Sequence, residues 1–592
     1  MVLFIGSEAP WSAAADTAGL RSTAEKTGFQ QTGRYSEAVD LCYRYARAWP
    51  RQVRCFEFGR TPEGRPMVAL AVSADGTLQP QTARARNRPV VLFQGGIHAG
   101  EIDGKDAGFM ALRDLLANKN DQDWLRAVTV VFIPVFNVDG HERFGAWNRP
   151  NQRGPQEMGW RTTAQNLNLN RDYVKAEAPE MRSLLALVNA WDPIVYADLH
   201  VTDGADFEHD ISITGAISFS DDAPLRAAGQ ELIADIIADL ARKGSLPLDF
   251  YPSLVQDDNP LSGFAVSATP PRFSDGYWAT RNRIGILVET HSWKPYPQRV
   301  AATRHTLDAI LEHAAQHGAE WLKLAREADQ RAAQLAGSTI TLAQENGDHV
   351  RMIDFRGYAY TREASAISGI LATTYDPSKP MIWKVPLRDE LRASVTVTAP
   401  SGGYLVPAPY ADLVRSHLAP HGIQFESIAC PLPALTAEAF RAIAVKRAAK
   451  TLEGRQQITV TGKWQSEPAA MVAGALYIPI AQSKARLVMA ILEPQAPDSL
   501  VSWGYFDVAF EQREYMENYV AEAVANDMLG KDPALHALFN ERLASDPAFA
   551  ASAAQRLNFF YARHPSWDTR LNLYPVLRLA TSPESNQTCT SR

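Results

Sequence analysis

The sequence predicts an α/β fold: a mixed, mostly parallel sheet covered by helices, followed by a β-rich region and a helical C-terminal segment. Three observations predict it. Apolar strand-length runs alternate with amphipathic helical patterns as far as about residue 336, the pattern of a sheet buried on both faces. After Gly337 the texture changes to period-two alternation between Pro- and Gly-rich turns, which is strand sequence with one solvated face. From Val508 to Leu579 the pattern is mainly helical, with aromatic clusters such as Phe559-Phe560-Tyr561. The chain therefore divides into a tail (1–30), an α/β region (31–336), a β-rich accessory region (337–507) and a helical segment (508–592).

The elements follow in order. A helix from Ser36 to Trp49 leads into strand Val53–Phe58, and the turn Thr61-Pro62-Glu63-Gly64-Arg65 returns the chain through Val68–Val72 as a hairpin. Pro89–Phe93 is a continuous apolar strand ending at Gly95-Gly96, with a helix from about Lys105 to Leu116. Strand Val128–Val135, helix Pro179–Trp191, strand Ile194–Leu199, helix Leu225–Arg242 and strand Ile284–Val288 come next. Helical sequence from Ala301 to about Ala336 closes the region. Beyond it, Ser338–Leu342, Ala393–Thr398 and Gln457–Thr461 alternate as strands, interrupted by a helix at about Tyr410–Leu418. The last ten or so residues read as disordered.

Composition narrows the function classes. Over 592 residues, 46% are hydrophobic and 21% charged, and the formal net charge is −7. Without a basic face, neither nucleic acid nor an anionic membrane surface is the expected partner. No apolar window approaches the roughly 18 residues of a membrane helix, and Val2-Leu3-Phe4-Ile5 is too short for a signal core. The four cysteines are too few for a disulfide framework. Cys42 and Cys55 flank a short helix-to-strand connection and either bridge in an oxidising compartment or remain buried thiols.

Chemistry concentrates at strand ends. Gly95-Gly96-Ile97-His98-Ala99-Gly100-Glu101 lies where an apolar strand stops and a helix begins, the place where open α/β sheets bind ligands. His98 and Glu101, three residues apart, can grip one ion. A catalytic zinc takes three protein ligands, two His and one Glu being a standard set, and keeps a fourth position for water. His200, at the end of strand Ile194–Leu199, supplies the third. Glu289 ends strand Ile284–Val288 and is either a partner for an Arg or a general base taking a proton from activated water.

The ordered set His98-x-x-Glu101, Asn137-Val138-Asp139-Gly140, Trp160-Arg161, Asn170-Arg171, His200 and Glu289 resembles the carboxypeptidase A-like zinc peptidases across about residues 31–330. The resemblance implies one Zn2+ per chain on His98, Glu101 and His200, with Glu289 as general base and proton donor. It implies that Arg161 stabilises an oxyanion, and that Asn170 and Arg171 hold a substrate's terminal carboxylate, a role suited to a planar guanidinium fork. A salt bridge from Arg171 to Asp172 or Glu177 is the competing role. The chain departs from the pattern in three places. Val138 replaces a proline. Asn168 replaces an aspartate behind a zinc-bound His, a deficit that Asp198 can offset. The active-site tyrosine has no match, Ser267 lying where it is expected, and Tyr277 is the substitute candidate. Ser274 aligns with the base of the specificity pocket, which would then carry no strong charge, although Asp275 and Arg283 lie close by.

The expected activity is zinc-dependent removal of C-terminal residues from a peptide or peptide-like substrate with a free carboxylate. Two alternatives stand beside it: a zinc amidohydrolase, deacylase or cell-wall amidopeptidase using the same ligands, and a non-catalytic peptide- or glycan-binding protein. The resemblance leans to a periplasmic or secreted location, otherwise cytoplasmic. The roughly 260 residues beyond the α/β region leave room for substrate restriction or a homodimer.

Overall fold

The protein is described from a computed structural model covering residues 18–118, 122–216 and 221–583. The segment Val2–Ile5 and the final residues read as disordered lie outside these. Among the described residues up to 290 there are nine strands: β1 Val53–Arg60, β2 Pro66–Val72, β3 Val90–Gly95, β4 Thr129–Ile133, β5 Val195–Val201, β6 Ile211–Gly215, β7 Pro247–Leu248, β8 Phe264–Ala265 and β9 Ile284–Thr290. All but β8 form one eight-stranded sheet, ordered β1-β2-β4-β3-β5-β9-β6-β7. Its centre, β4-β3-β5-β9, is parallel, and antiparallel pairings bring in β1, β2 and β6.

Every residue of β3, β4 and β5 is buried, as the unbroken apolar runs require of strands covered on both faces. Helices Asp103–Ala117, Ala223–Arg242 and Tyr296–Ala332 pack together on the sheet, and helices Tyr35–Ala48 and Pro179–Trp191 lie against β1. Residues 18–26, expected within a tail, instead form two helical turns. Ala24 enters the core, and Glu25 pairs with Arg113 at 2.6 Å. Cys42 and Cys55 are joined by a disulfide that pins helix Tyr35–Ala48 to β1.

The later strands are β10 Thr339–Asn346, β11 Arg351–Ala364, β12 Leu371–Arg388, β13 Leu391–Thr398, β14 Gly403–Val406, β15 Glu426–Ser427, β16 Leu432–Arg447, β17 Ile458–Met471, β18 Leu476–Pro479 and β19 Leu577–Leu579. β11 and β12 form a long hairpin arm whose base continues onto β8. Six strands form a second sheet, β15-β18-β14-β19-β16-β17. Strand β19 lies in the segment expected to be helical. Arg578 of this short strand turns inward to Glu493, 2.9 Å away and fully buried, so a buried ion pair rather than local periodicity places it. The apolar core runs without a break from the large sheet into this one, through Tyr404, Val406, Leu476 and Ile478. Helices Asn518–Lys531, Pro533–Ser545, Pro547–Ala551 and Ala553–Tyr561 gather around a small core of their own.

Candidate metal centre and cleft

The chain leaves β3 through Gly96, whose φ of +63° is a left-handed conformation that an L side chain rarely adopts. The amide of Glu101 then donates to the carbonyl of His98 at 2.9 Å, a turn that brings both side chains to the carboxyl end of the sheet. β5 brings His200 to the same edge, and its register neighbour on β9 is Glu289.

Ligand atoms of His98, Glu101 and His200 lie within 4.8 Å of one another, and all three residues are buried. Nδ1 of His98 is 2.9 Å from one Glu101 oxygen and Nδ1 of His200 is 2.8 Å from the other. Each imidazole is held from behind through Nε2: His98 by Oδ1 of Asn168 at 3.1 Å, His200 by Asp198 at 2.8 Å. Two Nδ1 atoms and a carboxylate therefore face one point, with their outward nitrogens already engaged. That donor set suits zinc.

The two histidines differ electrostatically because their supports differ. Burial, which Glu101 only partly offsets, pushes the His98 pKa down to about 4. Burial also opposes charge on His200, but Asp198, Glu289 and Glu101 raise its pKa well above the ordinary imidazole value. Glu101 resists its own burial because His98 and Arg149 hold its carboxyl well below the usual range. Burial pushes Glu289 up to about 8, and its Oε2 is buried with no hydrogen-bond partner.

A cavity of about 720 Å³ opens from this point. His98, Glu101, Arg161, Asn170, Arg171, His200 and Glu289 all line it. The sequence-predicted metal ligands, base carboxylate and three of the polar groups are thus brought together. Residues 39–205 match the family model of zinc carboxypeptidases. Carboxypeptidase 2 of Trichophyton rubrum is 22% identical over 469 residues, covering 76% of this chain and 79% of that protein, and carboxypeptidase 2 of Trichophyton tonsurans is 22% identical over 480 residues, covering 76% and 80%. Among solved structures, carboxypeptidase A of Helicoverpa armigera is similar with a TM-score of 0.37 and 15% identity, over 52% of this chain and 80% of that one.

The chain carries a zinc carboxypeptidase domain and is a metallopeptidase.

Within the carboxypeptidase domain, two expected residues are not where the sequence reading put them. Tyr277 is fully buried, its hydroxyl 2.8 Å from Nδ1 of His421 and 3.3 Å from Arg281, so it points into the core and not into the cavity. Among the described residues, the tyrosine that lines the cavity is Tyr251, whose phenol pKa is pushed up by burial and by the charges of Glu289, Asp203 and Glu101. Its place just after β7, far upstream of the expected position, hid it. Ser274 is buried and gives its amide to Oδ1 of Asn170 at 3.1 Å, while the next residue, Asp275, lines the cavity. Burial raises the Asp275 pKa to about 6. Among the described residues it has no ion pair, Arg283 being paired with Asp192 and Asp329, and Arg226 with Asp221.

Arg171 forms no ion pair with Asp172 or Glu177. Asp172 takes Lys175 at 2.8 Å and Glu177 takes Arg455, whereas Arg171 donates to the Asn170 carbonyl and lies 4.1 Å above the Phe273 ring. Sequence reasoning also missed Arg149, buried with Nη1 2.7 Å from Oε1 of Glu101. Its stem fills the space beside Gly100, where a Cβ would meet it at 2.5 Å. Nothing in local periodicity marks a loop arginine as the partner of a metal-site carboxylate.

Proposed function

We propose that this metallopeptidase hydrolyses the C-terminal peptide bond of peptides with a free carboxylate, with His98, Glu101 and His200 holding one zinc ion. The observation that carries this reading is the shared cavity: the triad, the partnerless oxygen of Glu289 and the guanidiniums of Arg161 and Arg171 all line it.

Bound there, zinc supplies Lewis-acid polarisation of the scissile carbonyl and lowers the pKa of the attacking water. Glu289 takes the water's proton and passes it to the leaving nitrogen, a task matched to a carboxyl whose pKa burial has lifted toward neutrality. Arg161, with Nη1 3.7 Å from Glu101, shares the charge of the developing oxyanion. Asn170 and Arg171 hold the terminal carboxylate, Arg171 being available because no carboxylate among the described residues is ion-paired to it. Tyr251 offers a hydroxyl on the same wall. The Cys42–Cys55 bridge supports a periplasmic or secreted setting, where disulfides persist.

The test is a matched pair of blocked peptides that differ only in a free or amidated C-terminus. Cleavage of the free acid alone supports the reading. Equal cleavage of both would assign the site to an amidohydrolase without a carboxylate requirement.

A further inference from the structure

The β16–β17 hairpin ends in a turn whose tip reaches the segment that supports the candidate metal centre. Leu452 and Arg455 exchange backbone hydrogen bonds of 2.9 and 3.0 Å across the two residues Glu453 and Gly454. Both central residues are left-handed, with φ of 49° and 75°. Two-residue turns of this kind favour Asn-Gly or Gly-Gly, because an L side chain at the first position is strained. A glutamate there is a poor choice for the turn alone, and strain of this sort tends to collect where a side chain is needed.

The glutamate's partner lies in the active site. Oε2 of Glu453 accepts the amide of Asn168 at 2.9 Å, across 285 residues of sequence. Asn168 supports His98 through Oδ1, and the same oxygen accepts the amide of Asn170 at 3.0 Å. One carboxylate on the accessory sheet thus anchors the segment that carries a metal-ligand support and both expected carboxylate-binding residues. Its charge also favours the Arg171 guanidinium, which burial, Arg161 and Arg272 disfavour. The turn is locked in position: Arg455 donates to Glu177 at 2.8 Å and stacks 3.8 Å over Tyr505, whose hydroxyl binds Glu177 at 2.7 Å. A second carboxylate from beyond residue 337 works alongside, Asp498 accepting the Arg272 amide at 2.7 Å.

We infer that Glu453 is a positioning residue of the active site, contributed by the accessory sheet, which sets the residue 168–171 segment for both metal binding and recognition of the substrate carboxylate. The substrate part of this inference rests on the carboxypeptidase reading; the metal part does not.

The experiment uses the full chain with Glu453→Gly and Glu453→Gln. Glycine suits the left-handed position but removes the acceptor, while glutamine keeps an acceptor oxygen without the charge. The measurements are zinc affinity by chelator competition, melting temperature, and kcat and KM on a peptide with a free C-terminus. Glu453→Gly should melt no lower than the parent, bind zinc about 10-fold more weakly, and show a raised KM. Glu453→Gln should recover the zinc affinity. Unchanged zinc affinity and KM in Glu453→Gly would overturn the inference, as would equal losses of melting temperature in both variants, which would make the turn a structural brace. A parent chain that binds zinc but cleaves no C-terminal bond would sink the carboxypeptidase reading, and the zinc comparison would still decide the role of Glu453.

Discussion

Asp198 lies 2.8 Å from Nε2 of His200, putting a buried carboxylate behind one histidine of the candidate metal centre while the other leans on the neutral amide of Asn168. The two supports are not equivalent, because only the carboxylate adds charge to the imidazole it orients. Asp198→Asn should weaken zinc binding by about 10-fold or more. Asn168→Asp should strengthen it. Competition with a calibrated chelator measures both, and equal affinities across the series would show that the supports only orient the rings.

Glu289 is proposed to move the proton and not to hold the metal. Glu289→Gln keeps the size of a buried side chain and removes its basicity. Zinc content should stay at one per chain, while kcat falls by about 10² to 10⁴. Zinc analysis beside steady-state kinetics separates the two effects, and retained turnover would take Glu289 out of the mechanism.

Asp275 is a carboxylate of the cavity wall without an ion pair among the described residues, and burial raises its pKa to about 6. Below pH 6 it is neutral and above it negative, so a preference for C-terminal Lys or Arg over Leu should grow as pH rises from 5 to 7.5. Asp275→Asn should give a flat ratio over that range. Competing peptides in one digest, read by mass spectrometry at each pH, supply the measurement.

Glu180 gives a stability prediction remote from the chemistry. It is fully buried, neither carboxylate oxygen has a side-chain partner, and burial lifts its pKa from 4.5 to about 7. A folded-state pKa above the unfolded one means that the protonated acid favours the fold. Its stabilising effect is complete below about pH 4.5 and lost as pH climbs through 7. Glu180→Gln should therefore stabilise the protein at pH 8 by up to about 3 kcal/mol and change little at pH 4.5. Thermal melts of both proteins at the two pH values test it.

Much of the carboxypeptidase domain was legible in the sequence because its information is local. A parallel strand buried on both faces is mostly apolar, so β3, β4, β5 and β9 announce themselves. Polar residues standing at the ends of such strands, such as His200 and Glu289, have few reasons to be there except chemistry. What escaped were residues whose partners lie far along the chain. The inward turn of Tyr277 is decided by His421, and Asp275 rather than Ser274 faces the cavity because the chain there bonds to Asn170. Strand β19 depends on Glu493, and Glu453 depends on Asn168. Sequence by itself marked which side chains can hold a metal, since ligand types and spacing are written in short segments. Only the tertiary structure decided which side chains line the cavity and that the accessory sheet reaches the segment behind His98, because burial and long-range hydrogen bonds exist only once distant segments are packed together.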